Sequence, residues 1–263
     1  MLFPARFGFL IALQSTNLKS ALAMRGSFIM RCTMMFFNNM IIFVNWWILL
    51  QRVESIGGWR LEEMALLWGI VATAFGISVF FFGGATDLAR MISENQIDTY
   101  LLQPKEPLSH IVSSKCLIGG LGDIFSGVLL MYLSGYLRFD LLPIIALSVC
   151  LAMLGLTATN IIFQCAAFWV KSARELSESL WEFLITFSTY PGSIYRGVVR
   201  LVLYSIIPAG FFAIMPVQIV STISYQDLLM LTIITVAYIA LAYSIFYLGL
   251  RSYESGNTIQ MRT

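Results

Sequence analysis

Apolar residues in this chain gather in long unbroken blocks instead of alternating with polar ones. Blocks over Phe28–Leu50, Met64–Ala85, Cys116–Leu137, Leu142–Val170 and Leu228–Leu250 are each long enough, as helices, to cross a hydrocarbon core of roughly 30 Å. A further span is expected over Glu175–Tyr190. The pattern predicts an all-α membrane protein of six transmembrane helices, forming a single transmembrane domain over 1–263. Residues 5–25 read differently. Phe7, Ile11, Leu18 and Leu22 fall within about 60° on a helical wheel, while Gln14, Asn17, Lys19 and Arg25 lie elsewhere. Such an amphipathic helix should lie in the membrane interface with its basic side chains toward the headgroups.

Polar residues inside and between the blocks add detail. Asn38, Asn39 and Asn45 should face other helices instead of lipid, and Trp46-Trp47 should mark where the first span leaves the bilayer. Gln51–Glu63 is a short loop around Gly57-Gly58-Trp59. The third span opens on Gly119-Gly120 and Gly122 and carries Asp123, an intramembrane ionisable residue and so a candidate for the transport pathway. Its place near the start of the span also allows it to reach the headgroups or cap a helix. Between the second and third spans lies a polar, turn-rich island at 92–107, ISENQIDTYLLQPKEP. After the fifth span, helix-breaking residues cluster at Tyr190-Pro191-Gly192, Pro208, Gly210 and Pro216. Irregular backbone at membrane depth has to be buried in protein or line a wet cavity. Residues 191–216 are therefore expected to form a re-entrant or interfacial helical pair.

Composition sharpens this. Of 263 residues, 59% are hydrophobic and only 11% charged, against roughly a quarter charged in a soluble domain. No sizeable soluble domain fits. A net charge of +2 without a basic run gives no footprint for nucleic acid. Cys32, Cys116, Cys150 and Cys165 are widely spaced and read as apolar packing residues, and His110, the lone histidine, makes neither a metal site nor a triad. Arg6 before the short run Phe7–Leu13 mimics a signal peptide, but Gln14-Ser15-Thr16-Asn17 interrupts it, so the segment should be retained. Six spans put eleven Lys and Arg (Arg6, Lys19, Arg25, Arg31, Arg90, Lys105, Lys115, Lys171, Arg174, Arg251, Arg262) on one side. The five on the other are Arg52, Arg60, Arg138, Arg196 and Arg200. The positive-inside rule then makes both termini and the island cytoplasmic. Arg196 and Arg200, one turn apart, are interface anchors or anion ligands.

Three stretches carry a family resemblance. Ile97-Asp98-Thr99-Tyr100-Leu101-Leu102-Gln103-Pro104 follows a Gly-Trp loop and a span. Tyr190-Pro191-Gly192-Ser193-Ile194-Tyr195 is followed by Ile207-Pro208-Ala209-Gly210-Phe211 and Pro216. The chain then closes on Arg251-Ser252-Tyr253-Glu254-Ser255-Gly256-Asn257. Together these resemble ABC-2 type transporter permeases of a short bacterial subfamily over essentially the whole chain. Gln96 departs from the pattern, which often has Gly before the apolar-Asp pair.

The resemblance implies the transmembrane subunit of an exporter in a bacterial cytoplasmic (inner) membrane. It would pair with a second permease, identical or homologous, and with two separate cytoplasmic ATPase subunits that hold the ATP and Mg. It also implies a coupling helix docking on the ATPase, here on Ile97, Asp98, Tyr100, Leu101, Leu102 and Pro104. Tyr190, Pro191, Gly192, Pro208 and Gly210 would lie in broken helices capping the outer end. The residues agree on two points. The sequence contains no GxxxxGK[ST], so no phosphate-cradling loop and no cofactor of its own are expected, and the chain should not be an enzyme. Ile97, Tyr100, Leu101 and Leu102 supply an apolar face at helical spacing, with Asp98 either capping the helix or pairing with a basic partner residue. The cargo class is amphipathic: lipid, drug-like compound or peptide. The alternatives are a secondary transporter, which needs paired broken helices and intramembrane charges, and a non-transporting anchor or sensor subunit.

Overall fold

A computed structural model describes residues 3–170 and 173–253, with side-chain detail from Gly8 onward. Phe7, Arg6, Lys171, Arg262 and the 254–257 part of the closing motif therefore lie outside the described side chains. Among the described residues the chain is all-helical, 80% helix without strands. In chain order the helices are α1 Phe3–Ala23, α2 Arg25–Leu50, α3 Leu61–Phe82, α4 Leu88–Ser93, α5 Asp98–Leu101 and α6 Pro107–Val112. They continue with α7 Gly119–Leu133, α8 Leu142–Gln164, α9 Ala173–Ser188, α10 Gly197–Leu203, α11 Met215–Thr222 and α12 Tyr225–Ser252.

Among the described residues four helical stretches are long and apolar enough to cross a membrane: Arg25–Leu50, Leu61–Ser93, Leu142–Phe168 and Tyr225–Ser252. The expected third span is shorter than its sequence block, whereas the fifth keeps its expected length two residues earlier in the chain. α7 has 15 residues, about 22 Å of helix, and α9 has 16, about 24 Å. Glu175, Glu178 and Glu182 give α9 a polar stripe, and Arg174 pairs with Glu178 at 2.9 Å. Its buried side is small and apolar: Ala173, Ser177, Leu184 and Ser188.

α3 is the axis of the bundle, with every residue from Met64 to Ala74 buried. α7 lies antiparallel against it through glycines spaced seven apart on each helix. A Cβ on Gly76 would stand 2.5 Å from the Gly120 carbonyl oxygen, and one on Gly120 would stand 2.4 Å from the Gly76 oxygen. One turn pair away, a Cβ on Gly127 would meet the Gly69 oxygen at 2.7 Å. Close backbone approach at small residues is how helices associate where lipid tails remove the hydrophobic drive between them. α2 packs on the outer side of α7, α8 fills the opposite side of α3, and α12 packs on α8. Long faces of α2 and α12 remain exposed, from Ile29 to Leu49 and from Leu229 to Leu248.

The broken region turns back into the core. Ile207, Pro208, Ala209 and Gly210 are buried, and a π-helical turn over Gly210–Ile214 leads into α11. Phe212 is fully buried, its ring edge-on to Tyr238 at 5.3 Å and pressed against Gly155 of α8. Tyr204 covers Gly210, so neither glycine has room for a side chain. Pro191 is buried while Tyr190 stays exposed beside Trp46, ring centroids 5.5 Å apart. Gly192 lies under Ile214, and the neighbouring Ser193 meets Gly57 of the Gly-Trp loop. Arg196 and Arg200 are exposed at the same end.

Candidate functional site

The island between α3 and α7 folds as a braced knuckle of short helices. α4 ends in a left-handed residue, Asn95 at φ 56°. The Gln96 N–H donates to the Met91 carbonyl at 2.8 Å and the Asn95 N–H to the Ile92 carbonyl at 3.2 Å, the two bonds of a Schellman close. Asparagine tolerates this backbone better than most side chains. The tight turn that a glycine at 96 would have supplied is thus made one residue earlier.

α5 divides the predicted contact residues by direction. Ile97 is fully buried, packed with Leu88, Met91 and Ile111 in an apolar cluster. That inward turn corrects its expected place on an outward face. Tyr100 is half-buried and edge-on to His110 at 4.9 Å. Leu101, Leu102 and Pro104 are exposed, Leu102 at 87%. Asp98 does not cap α5 through its side chain. It instead accepts a hydrogen bond from the Tyr253 hydroxyl at 2.9 Å, while the same hydroxyl reaches Asn95 Oδ1 at 3.1 Å. Burial and the adjacent Asp98 push the Tyr253 hydroxyl above its ordinary range, keeping it a donor.

α6 is held with equal economy. Glu106 caps it, accepting from the N–H groups of Leu108 at 3.1 Å and Ser109 at 2.6 Å, and the Tyr247 hydroxyl of α12 donates to Glu106 Oε1 at 2.6 Å. Burial works to raise the Glu106 carboxyl, but hydrogen bonds from Ser109, Tyr247 and Leu108 outweigh it and hold the group below its ordinary value. The end of α12 therefore clamps the knuckle twice. α1 lies along its other side: Gln14 donates to the Phe81 and Ser113 carbonyls, Asn17 donates to Ser113, and Phe9 stands edge-on to His110. The apolar edge of α1, with Ile11 and Leu22, faces outward. At the base, Arg90 grips Asp87 with two bonds of 2.6 and 2.7 Å and reaches Glu94 at 2.9 Å, and Lys115 also pairs with Asp87.

Asp123 lies well inside the bundle, 3% exposed. The Asn39 side-chain amide of α2 donates to its Oδ1 at 2.7 Å and to Ser126 Oγ at 2.8 Å. Ser126 in turn donates to the Asp123 backbone carbonyl at 2.9 Å. Asp123 does not cap α7 and sits in its second turn, facing α2 and α3. Asn39 alone of the three asparagines of α2 is buried against other helices of this chain, while Asn38 and Asn45 are exposed on it. Among the described residues no group of three His, Cys, Asp or Glu side chains is arranged to hold a metal.

A family model described as "ABC-2 family transporter protein" matches residues 36–257. The match runs from Phe36 in α2 through the knuckle and the broken region into the tail. The chain belongs to the ABC-2 transporter family. No curated protein and no solved structure matches it. As an ABC-2 protein it is a multi-pass membrane protein and the membrane permease of an ABC system, a family that typically works with ATPase partners.

The ABC-2 fold brings the predicted residues into three places. Asp98, Tyr100, Leu101, Leu102 and Pro104 share the knuckle around buried Ile97. Tyr190, Pro191 and Gly192 belong to the opposite, Trp46-Trp47 end, while Pro208 and Gly210 turn back from it into the core beside Phe212. Asp123 lies between. Asn95, Glu106 and Tyr247 are partners in these sites that the sequence does not single out. Only Asn95, in a polar turn before an apolar-Asp pair, carried a local signal.

Proposed function

We propose that this permease is one half of an ATP-driven exporter, crossing the bacterial cytoplasmic membrane six times with both termini in the cytoplasm. The single observation carrying this reading is the knuckle, with Leu101, Leu102 and Pro104 exposed on a support clamped by α1 and the end of α12. An apolar tip on a rigid, polar-braced base suits docking into a groove of a cytoplasmic ATPase, because little ordering remains to be done on binding. Two such ATPase subunits would hold ATP and Mg, and this chain would need no cofactor and would catalyse no reaction itself. The antiparallel register of α7 along α3 supports counting α7 as a crossing helix despite its length, and α9 completes six. The exposed α2 face supports pairing with a second permease, identical or homologous, and lipid covers the remainder. ATP binding would draw the two knuckles together and rock the halves to release an amphipathic substrate (lipid, drug-like compound or peptide) outward past the Tyr190–Gly210 region.

The test is affinity purification of the intact protein in mild detergent from its native host, beside Leu101→Glu/Leu102→Glu. A P-loop ATPase retained by the wild type and lost from the folded variant supports the reading. Absence of any such ATPase from the well-folded wild type overturns it.

A further inference from the structure

We propose that Asp123 and Trp68 form a binding site for amphiphiles whose head is a protonated amine. The inference rests on the permease reading and gives its substrate a chemistry. Asp123, on α7, and Trp68, on α3, line one cavity of about 360 Å³ between α2, α3, α7 and α9. Both are more than nine-tenths buried, and each has a polar atom without a hydrogen-bond partner: Asp123 Oδ2 and Trp68 Nε1. An unsatisfied acceptor and an unsatisfied donor therefore line the same partly open cavity, each costing roughly 1–3 kcal/mol if left so.

The two side chains bonded around Asp123 Oδ1 are already committed. Asn39 donates to Asp123 Oδ1 and Ser126, and Ser126 donates to a backbone carbonyl. None is left for Oδ2. No basic side chain pairs with Asp123 among the described residues, and Arg31 lines an adjoining cavity of about 440 Å³ that also reaches Asp123. Buried carboxylates in membranes pair with a cation or with one another. An ammonium head supplies both the missing charge and the missing donor. The tail has an apolar lodging: Met35 and Phe75 line both cavities, with Ile42 and Val71 beside them. Asp123 meets α3 at Gly76, eight residues along the helix from Trp68, so the Trp68 N–H takes an oxygen carried farther along the amphiphile, while the face of Phe75 beside Gly76 favours the cation.

The experiment uses the intact permease alone in maltoside micelles, with dansylcadaverine as the amine probe and neutral N-butyldansylamide as the control for partition into detergent. Binding is read as tryptophan-to-dansyl energy transfer. Wild type should bind the amine saturably, Asp123→Asn should weaken it about tenfold or more, and Trp68→Phe should weaken it less. The neutral probe should show only unsaturable partition that is the same in every variant. Equal affinity of wild type and Asp123→Asn for the amine, or equal binding of both probes, overturns the proposal. Should Asp123→Asn aggregate in gel filtration, Asp123→Glu, which moves the charge by one methylene, is the deciding variant and must still lower amine affinity. No ATPase is present, so failure here leaves the co-purification test of the permease reading untouched, and failure of that test leaves this measurement valid.

Discussion

The Tyr253 hydroxyl, one residue beyond α12, donates to Asp98 Oδ1 at 2.9 Å across 155 residues of chain. The bond ties the last described residue of the chain to the first residue of α5. Tyr253→Phe removes it and leaves the ring packed against Phe168. The expected cost is about 1 kcal/mol, seen as faster amide hydrogen exchange over residues 95–103 while the α3 and α7 amides stay unchanged. Uniform protection in wild type and variant would show that the tail does not brace the knuckle.

Direction within α5 predicts opposite failures for neighbouring residues. Leu102→Glu should leave the melting temperature within about 1 °C, since an exposed surface substitution costs little, yet abolish retention of the ATPase. Ile97→Glu should lower the yield of folded protein, because it places a carboxylate in an apolar cluster with no partner. Gel-filtration profiles and thermal melts separate the two.

The α3–α7 contact predicts that Gly76→Ala and Gly120→Ala each destabilise by about 1–3 kcal/mol through overpacking against a facing carbonyl. Gly8→Ala is the control, since a Cβ there meets nothing within 4 Å; it should be neutral or mildly stabilising. Thermal unfolding in one detergent measures all three.

Asn39 and Asp123 should be coupled. Asn39→Leu strips Asp123 of its protein donor and should cost about 1–3 kcal/mol, whereas Asn39→Leu with Asp123→Leu should recover much of that loss, both polar partners having gone. A double-mutant cycle in melting temperature reads the coupling. Simple additivity would mean that the bond contributes nothing.

Acid should loosen the knuckle before the bundle. Burial, with Lys105 nearby, holds His110 below the ordinary 6.5, so the neutral ring stabilises fully above that value and its contribution is lost as pH falls through the lowered one. Glu106 is likewise held below 4.5, and its cap is lost only at still lower pH. Melting temperature should fall between pH 7.5 and 5.5, and His110→Leu should flatten that slope.

Much of the architecture was legible in the order of residues. The blocks at 28–50, 64–85, 142–170 and 228–250 locate α2, α3, α8 and α12 to within a few residues, and the polar island at 92–107 locates α4 to α6. The breakers Pro191, Pro208 and Gly210 mark where α9 gives way to short helices that turn inward. α7 is shorter than its block because it starts only at Gly119 and closes at Ser134, before the left-handed Gly135 at φ 77°, whereas α9 keeps the expected length two positions earlier.

Hydropathy can be read one residue at a time, because the free energy of moving a side chain out of water is nearly additive along a helix. Spans, breaks and the polar island are therefore written in the chain itself. Which polar atoms meet is not additive, since it depends on how helices distant in sequence rotate and slide against each other. Gly76 meets Gly120, Asn39 meets Asp123 and Tyr253 meets Asp98 only after that packing is fixed. The inward turn of Ile97 and the unpartnered Asp123 Oδ2 and Trp68 Nε1 follow from the same packing, so only the tertiary structure could decide them.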